Sequence, residues 1–147
     1  MNNRLQQFWN DYCVATHQEG LQYKDAFQFG SSADWLADLV VEGKKTATTS
    51  GFVFYELEKE AIPSAGEHYI VLDGRDEPVA IIQIQSVEVV PMNEVTEEFA
   101  LAEGVKDYQF WWDAHVEFFT KSLKKYDIEF SPSMLVVCER FKKVYPI

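Results

Sequence analysis

Residues 78–90, PVAIIQIQSVEVV, constrain the fold more than any other stretch. Ile82, Ile84 and Ser86 alternate with Ile81, Gln83, Gln85 and Val87. That period of two is the signature of a long β-strand with one mostly apolar face. Pro91 stops the run, because proline cannot donate to a strand ladder. Such a strand needs partners, and three further segments are strand-like. They are KTATTS, rich in β-branched residues, HYIVLDG, closed by a turn through Asp73 and Gly74, and the final MLVVCERFKKVYP.

Helical spacing marks the rest. Leu5, Phe8, Trp9, Tyr12 and Cys13 predict a helix over 4–16, since residues three and four apart share a face. A second helix starts at Ser31 or Ser32. Ser31 and Asp34 form a weaker relative of the capping box, Trp35, Leu36, Leu39 and Val40 form its stripe, and Gly43 stops it. Thr96 caps a short helix through Glu103, and Asp107 caps a longer, aromatic-rich one to about Tyr126. Residues 18–30 read as a loop, and 52–60 fit strand or helix equally. The order lacks the strict βα alternation of a doubly wound sheet. It predicts an α+β chain, a small mixed or antiparallel β-barrel with helices packed outside.

The 147 residues suffice for one hydrophobic core, so a single domain over 1–147 is expected. The chain carries 13 basic and 24 acidic groups, a net charge of −11. Its field repels polyanions, which argues against double-stranded DNA as a partner. A local pocket for a nucleoside or short RNA remains compatible with that charge. No membrane-length apolar run and no secretory h-region are present, so a cytoplasmic protein is expected. Cys13 and Cys138 fit neither a metal spacing nor a disulfide framework. His17 and His68 lack partner spacing, so no metal site and no cofactor are expected. Exposed aromatics would suit a homodimer.

Gly43-Lys44-Lys45-Thr46-Ala47-Thr48-Thr49-Ser50 packs two lysines and four hydroxyls into eight residues at a helix-to-strand junction. The plainer reading is a solvated edge strand, with Lys guarding the edge. The functional reading brings a lysine and a threonine hydroxyl into one pocket, where a partly buried lysine can act as a base. Lys45 and Thr48 are three apart and face opposite sides of an ideal strand. They converge only if Lys45 lies on the turn leaving the helix, or if a bulge intervenes. Glu103 sits at a helix end just before Gly104, where the helix dipole disfavours an anion. It is either a tolerated surface residue or a carboxylate aimed into a cleft to meet Lys45. His115 shares a helix face with aromatics, and Trp112 beside it could stack on a base. Asp73 reads as a turn residue. Glu139 and Arg140 point to opposite faces of a regular strand, so one of them looks inward and needs a partner.

Gly43-x-Lys45-x-x-Thr48 resembles the signature of the ASCH superfamily, whose members are PUA-like. The resemblance extends, in order, over FGSSADWLADLVVEGKKTATTS, PSAGEHYIVLDG, PVAIIQIQSVEVVP, NEVTEEFALAEG, WWDAHVEFF and MLVVCERF, roughly residues 29 to 145. Those segments are similar to the single-domain bacterial branch once described only as a domain of unknown function. The resemblance implies a PUA-like β-barrel with flanking helices and an RNA- or nucleoside-related role.

One similar branch comprises amidohydrolases that remove the acetyl group from N4-acetylcytidine, with a lysine, a threonine and a glutamate as catalytic set. The matching positions are Lys45, Thr48 and Glu103, implying Lys45 as base, Thr48 as nucleophile and Glu103 as acid. Lys44, Ser50, Asp73, Trp112, His115 and Arg140 are the substrate contacts expected beside that set. Ser50 stands where the family pattern has arginine, and Arg140 or Lys44 would then supply that charge. The alternatives are a non-catalytic RNA- or nucleotide-binding PUA-like module, and a ribonuclease on single-stranded RNA.

Overall fold

β4 (Pro78–Pro91) is the middle strand of a five-stranded sheet, antiparallel to β3 (His68–Leu72) on one side and β5 (Leu135–Tyr145) on the other. These features come from a computed structural model, which describes residues 3–30 and 32–146. The sheet order is β1-β3-β4-β5-β2, with β1 (Asp25–Gln28) parallel to β3 and β2 (Ala47–Gly51) antiparallel to β5. The expected loop over 18–30 therefore contains a strand. Four residues are too few to show a period, and only pairing with β3 makes β1 visible.

Around the sheet stand α1 (Asn3–Thr16), α2 (Ala33–Val41), α3 (Phe52–Glu58), α4 (Glu97–Ala102) and α5 (Tyr108–Lys124), with a 3-10 turn at Met92–Glu94. The ambiguous 52–60 segment is thus α3. Both predicted caps form, the Thr96 hydroxyl accepting from the Phe99 N–H and the Asp107 carboxylate from the Phe110 N–H. Ser32 occupies the N-cap of α2 without a side-chain hydrogen bond, and Ser31 lies outside the described residues. Gly43 follows α2 at φ +80°, the left-handed conformation that ends helices.

Both faces of the sheet are buried near β3 and β4. Trp9 and Tyr12 of α1 cover Ile70 and Ile81, while Ala37 and Val40 of α2 cover Val71 and Ile82 on the opposite face. The single apolar face expected for 78–90 is therefore double over residues 80–82, all buried, and gives way to exposed positions beyond Ser86. A third cluster joins Phe99, Trp111 and Phe119 of the last two helices to Ala47, Val136 and Cys138. Register shifts between Ile81 and Ile82 and between Ile84 and Ser86 bend β4 against β5. The sheet curls into a half-barrel, and β1 and β2, its two unpaired edges, both line one cavity.

Candidate functional site

The cavity measures about 760 Å³, within the usual range for small-molecule sites. β1, β2, β5, α2, α3 and α5 all contribute to its wall.

Its polar floor is built around Glu103. This residue caps the C-terminus of α4 and is 5 % exposed. Lys45 Nζ donates to Glu103 Oε1 at 3.0 Å and to the Ala47 carbonyl at 2.8 Å, and lies 4.9 Å from the centre of the Phe29 ring. The Thr49 hydroxyl and the Trp111 indole N–H both donate to Glu103 Oε2 at 2.6 Å. His115 donates from Nδ1 to the Trp111 carbonyl at 2.7 Å and holds Nε2 3.6 Å from Glu103 Oε2. Burial alone pushes the Glu103 carboxyl up. The Lys45 ammonium, His115, Thr49 and Trp111 outweigh it and hold the group below the ordinary carboxylate range. Glu103 is therefore kept ionised, with its lone pairs engaged by three donors. The same contacts suit an ammonium at Lys45. This arrangement does not fit the roles of acid for Glu103 and free base for Lys45.

Lys45 is 3 % exposed. β2 is indeed an edge strand, but a buried lysine cannot guard an edge, so the plainer reading of this segment does not apply to Lys45. Lys44 and Lys45 both donate their backbone N–H to the Leu39 carbonyl, which places Lys45 on the turn leaving α2 rather than in the strand. That geometry lets Lys45 and Thr48 line the same cavity despite their spacing. The hydroxyl that touches Glu103, however, belongs to Thr49, a residue the sequence did not single out. Thr48 faces the other side of β2, opposite Glu139 of β5.

Ser50 and His115 also line the cavity, Ser50 within 3.0 Å of the Tyr55 hydroxyl. Four expected contacts lie elsewhere. Lys44 is exposed, 3.8 Å from Glu42. Asp73 accepts the backbone N–H groups of Arg75 and Glu77 and serves its turn. Trp112 stacks on Tyr108 against the core. Arg140 donates from both terminal guanidinium nitrogens to Glu98 on the outer side of β5. Neither Lys44 nor Arg140 thus supplies the charge of the arginine replaced by Ser50. The aromatic wall comes instead from Trp35, Phe110 and Phe118, each 40–46 % exposed and lining the cavity. Trp35 reads in sequence as one more member of the α2 stripe. Only burial separates it from Val40.

Glu139, not Arg140, is the inward member of its pair. It is 7 % exposed. Burial and the neighbouring Glu103 push its carboxyl up to about 7, against the pull of Lys45. A folded-state value above the unfolded one means that stability is full below about pH 4.5 and declines as pH rises to about 7. Glu139→Gln is expected to remove this decline. Thermal melts should show the variant gaining on the wild type mostly at pH 8 and little at pH 5, by no more than about 3 kcal/mol.

A family model described as ASCH domain matches residues 25–145. The chain is similar to an ASCH domain from Lactobacillus crispatus JV V101, at 33 % identity and a TM-score of 0.92, covering 99 % of this chain and 96 % of that one. It is also similar to a protein from Enterococcus faecalis V583 assigned to the DUF984 family, at 38 % identity and a TM-score of 0.88, covering 99 % and 92 %. No curated protein matches. Among the described residues, no helix is long and apolar enough to cross a membrane.

Proposed function

The chain belongs to the ASCH domain family, whose fold is PUA-like, and from that premise we propose that the cavity binds an uncharged nucleoside and hydrolyses an amide on its base. The observation that carries this reading is the buried Lys45–Glu103 pair in a cavity that the Thr48 hydroxyl and several aromatic rings also line. Trp35, Phe110 and Phe118 offer faces for a planar ring. Lys24 stands against Asp25, Glu58 and Glu60 among the exposed charges lining the cavity, and Lys45 is already neutralised by Glu103. That balance favours an uncharged ligand over a phosphorylated one, and disfavours an extended RNA backbone.

In this reading the Thr48 oxygen attacks the acyl carbon. Lys45, fixed by Glu103 and Ala47, supplies positive charge for the carbonyl oxygen as it becomes an oxyanion. Glu103 is a positioning residue, holding Lys45 in its charged form. N4-acetylcytidine, with an exocyclic amide on a pyrimidine, is the first substrate to test.

The test is chromatography of acylated nucleosides and their 5′-monophosphates after incubation with the protein. Release of cytidine is expected, faster from the nucleoside than from the monophosphate. Thr48→Ala should cut the rate on the order of 10³-fold or more. Its melting temperature should move by no more than about 2 °C, because Thr48 packs into no core cluster. Absence of turnover by the wild type would overturn the hydrolase reading. Tight binding without turnover would leave a recognition module.

A further inference from the structure

Glu103 is saturated by donors and Lys45 is tied to it, so neither is free to move the Thr48 proton. We infer that Glu139 is the acid–base residue of this cavity, in contact with the ligand and serving the Thr48 hydroxyl. The inference rests on the reading above for its chemistry, but the ligand contact stands on geometry alone.

Thr48 and Glu139 are direct cross-strand partners in the β2–β5 ladder, and directly opposed residues place their side chains on one face, about 5 Å apart at Cβ. Cys138 and Arg140 point to the other face. No hydrogen bond or ion pair among the described residues engages the Glu139 carboxyl. Yet among the described residues no buried polar side-chain atom lacks a partner. Its oxygens must therefore open onto the cavity it lines. An unpaired carboxyl on a residue only 7 % exposed is costly, and no described residue pairs with it. The groups around it are Lys45 before β2, Glu103 at the end of α4, Glu67 before β3, Tyr55 on α3 and Tyr69 on β3. Only Lys45 among them favours the ionised form. The resulting value of about 7 suits proton exchange at neutral pH.

The step balances. As the Thr48 oxygen bonds to the acyl carbon, the Glu139 carboxylate takes the hydroxyl proton. The carboxylic acid then gives it to the nitrogen as the C–N bond breaks, leaving an acyl ester on Thr48 and a free amine. Water attacks the ester, its proton passing through the same carboxyl to the Thr48 oxygen, and the acid product departs.

The experiment uses the full chain in three arms. Acetylcytidine turnover is followed from pH 5 to 9 for wild type, Glu139→Gln and Glu139→Asp. The Glu139 carboxyl carbon of the wild type is watched by 13C NMR during titration with cytidine. Melting temperatures monitor folding of the variants. Wild-type kcat should climb with pH through about 7 and level off. Glu139→Gln should lose about 100- to 10 000-fold in kcat and lose that limb with it, while Glu139→Asp keeps a limb. Cytidine should shift the Glu139 resonance.

Activity of Glu139→Gln within a few-fold of wild type would overturn the inference and leave the hydrolase reading standing. Failure of the wild type to turn over the substrate, with the resonance still shifted by cytidine, would overturn the hydrolase chemistry and keep Glu139 as a ligand contact. A resonance unmoved by cytidine would overturn the contact, and the NMR arm decides this even if the variants do not fold.

Discussion

Glu103→Ala is expected to lower stability by about 3–5 kcal/mol, the usual result of removing one partner from a buried ion pair. In a chain of this length that is about 10–15 °C in melting temperature. Lys45 would keep only the Ala47 carbonyl and the Phe29 face, and its charge would sit uncompensated at 3 % exposure. The Thr49 hydroxyl and the Trp111 N–H would lose their shared acceptor at the same time.

Lys45→Ala should destabilise for the reciprocal reason, so unchanged melting, the natural expectation for a solvated lysine, does not hold for this one. A double variant, Lys45→Met with Glu103→Leu, should recover much of the loss, since the pair's net worth is far smaller than the cost of breaking it. Chemical denaturation of the two single variants and the double variant checks this. If Glu103→Ala melts within 2 °C of wild type, the floor of the cavity is not built as described.

The pH dependence has a defined sign. Glu103 ionises more readily folded than unfolded, so its contribution is present above the unfolded value and is lost as pH falls through the lower folded one. Glu139 works in the opposite direction, weakening the fold as pH rises to about 7. The two carboxyls of one cavity thus pull the stability curve down at both ends.

The second large effect is expected at Trp111. It is fully buried, packs its ring 4.3 Å from His115, and donates to Glu103 at 2.6 Å. Trp111→Ala should cost about 3–5 kcal/mol through the cavity it leaves. Trp111→Phe should cost less, about 1–3 kcal/mol, much of it from the donor lost to a buried carboxylate. The informative comparison is between Trp111→Phe made alone and made together with Glu103→Gln. The two changes share a hydrogen bond, so their costs should fall short of adding. Strict additivity in denaturant melts would mean that the indole N–H contributes nothing to holding Glu103.

Much of the site was legible one residue at a time. A carboxylate at the C-terminal end of a helix runs against the dipole, and that anomaly flagged Glu103 before any partner was known. The crowding of lysines and hydroxyls flagged 43–50. The choice among neighbours was not legible. Thr48 and Thr49 are chemically alike, and which one meets Glu103 depends on the face that β2 turns toward α4. Glu139 and Arg140 were paired alternatives, and the register against β2 turned the glutamate inward, where no described residue pairs with it. Trp112, next to Trp111, stacks in the core, while Trp35, hidden within an apolar stripe, is the ring that lines the cavity.

What the amino-acid order determined by itself was local. Period-two alternation, helical stripes and caps formed by groups three residues apart need no more than a short stretch of chain, so α1, β4, α4 and α5 could be read directly. What only the tertiary structure decided was convergence: that a turn, a helix end and the last strand bring Lys45, Glu103 and Glu139 to one hollow. Residues 45, 103 and 139 meet because bulges curl the sheet until its two edges border the same space. The position of a bulge and the pairing of distant strands are set by packing across the whole molecule, which no short-range pattern contains.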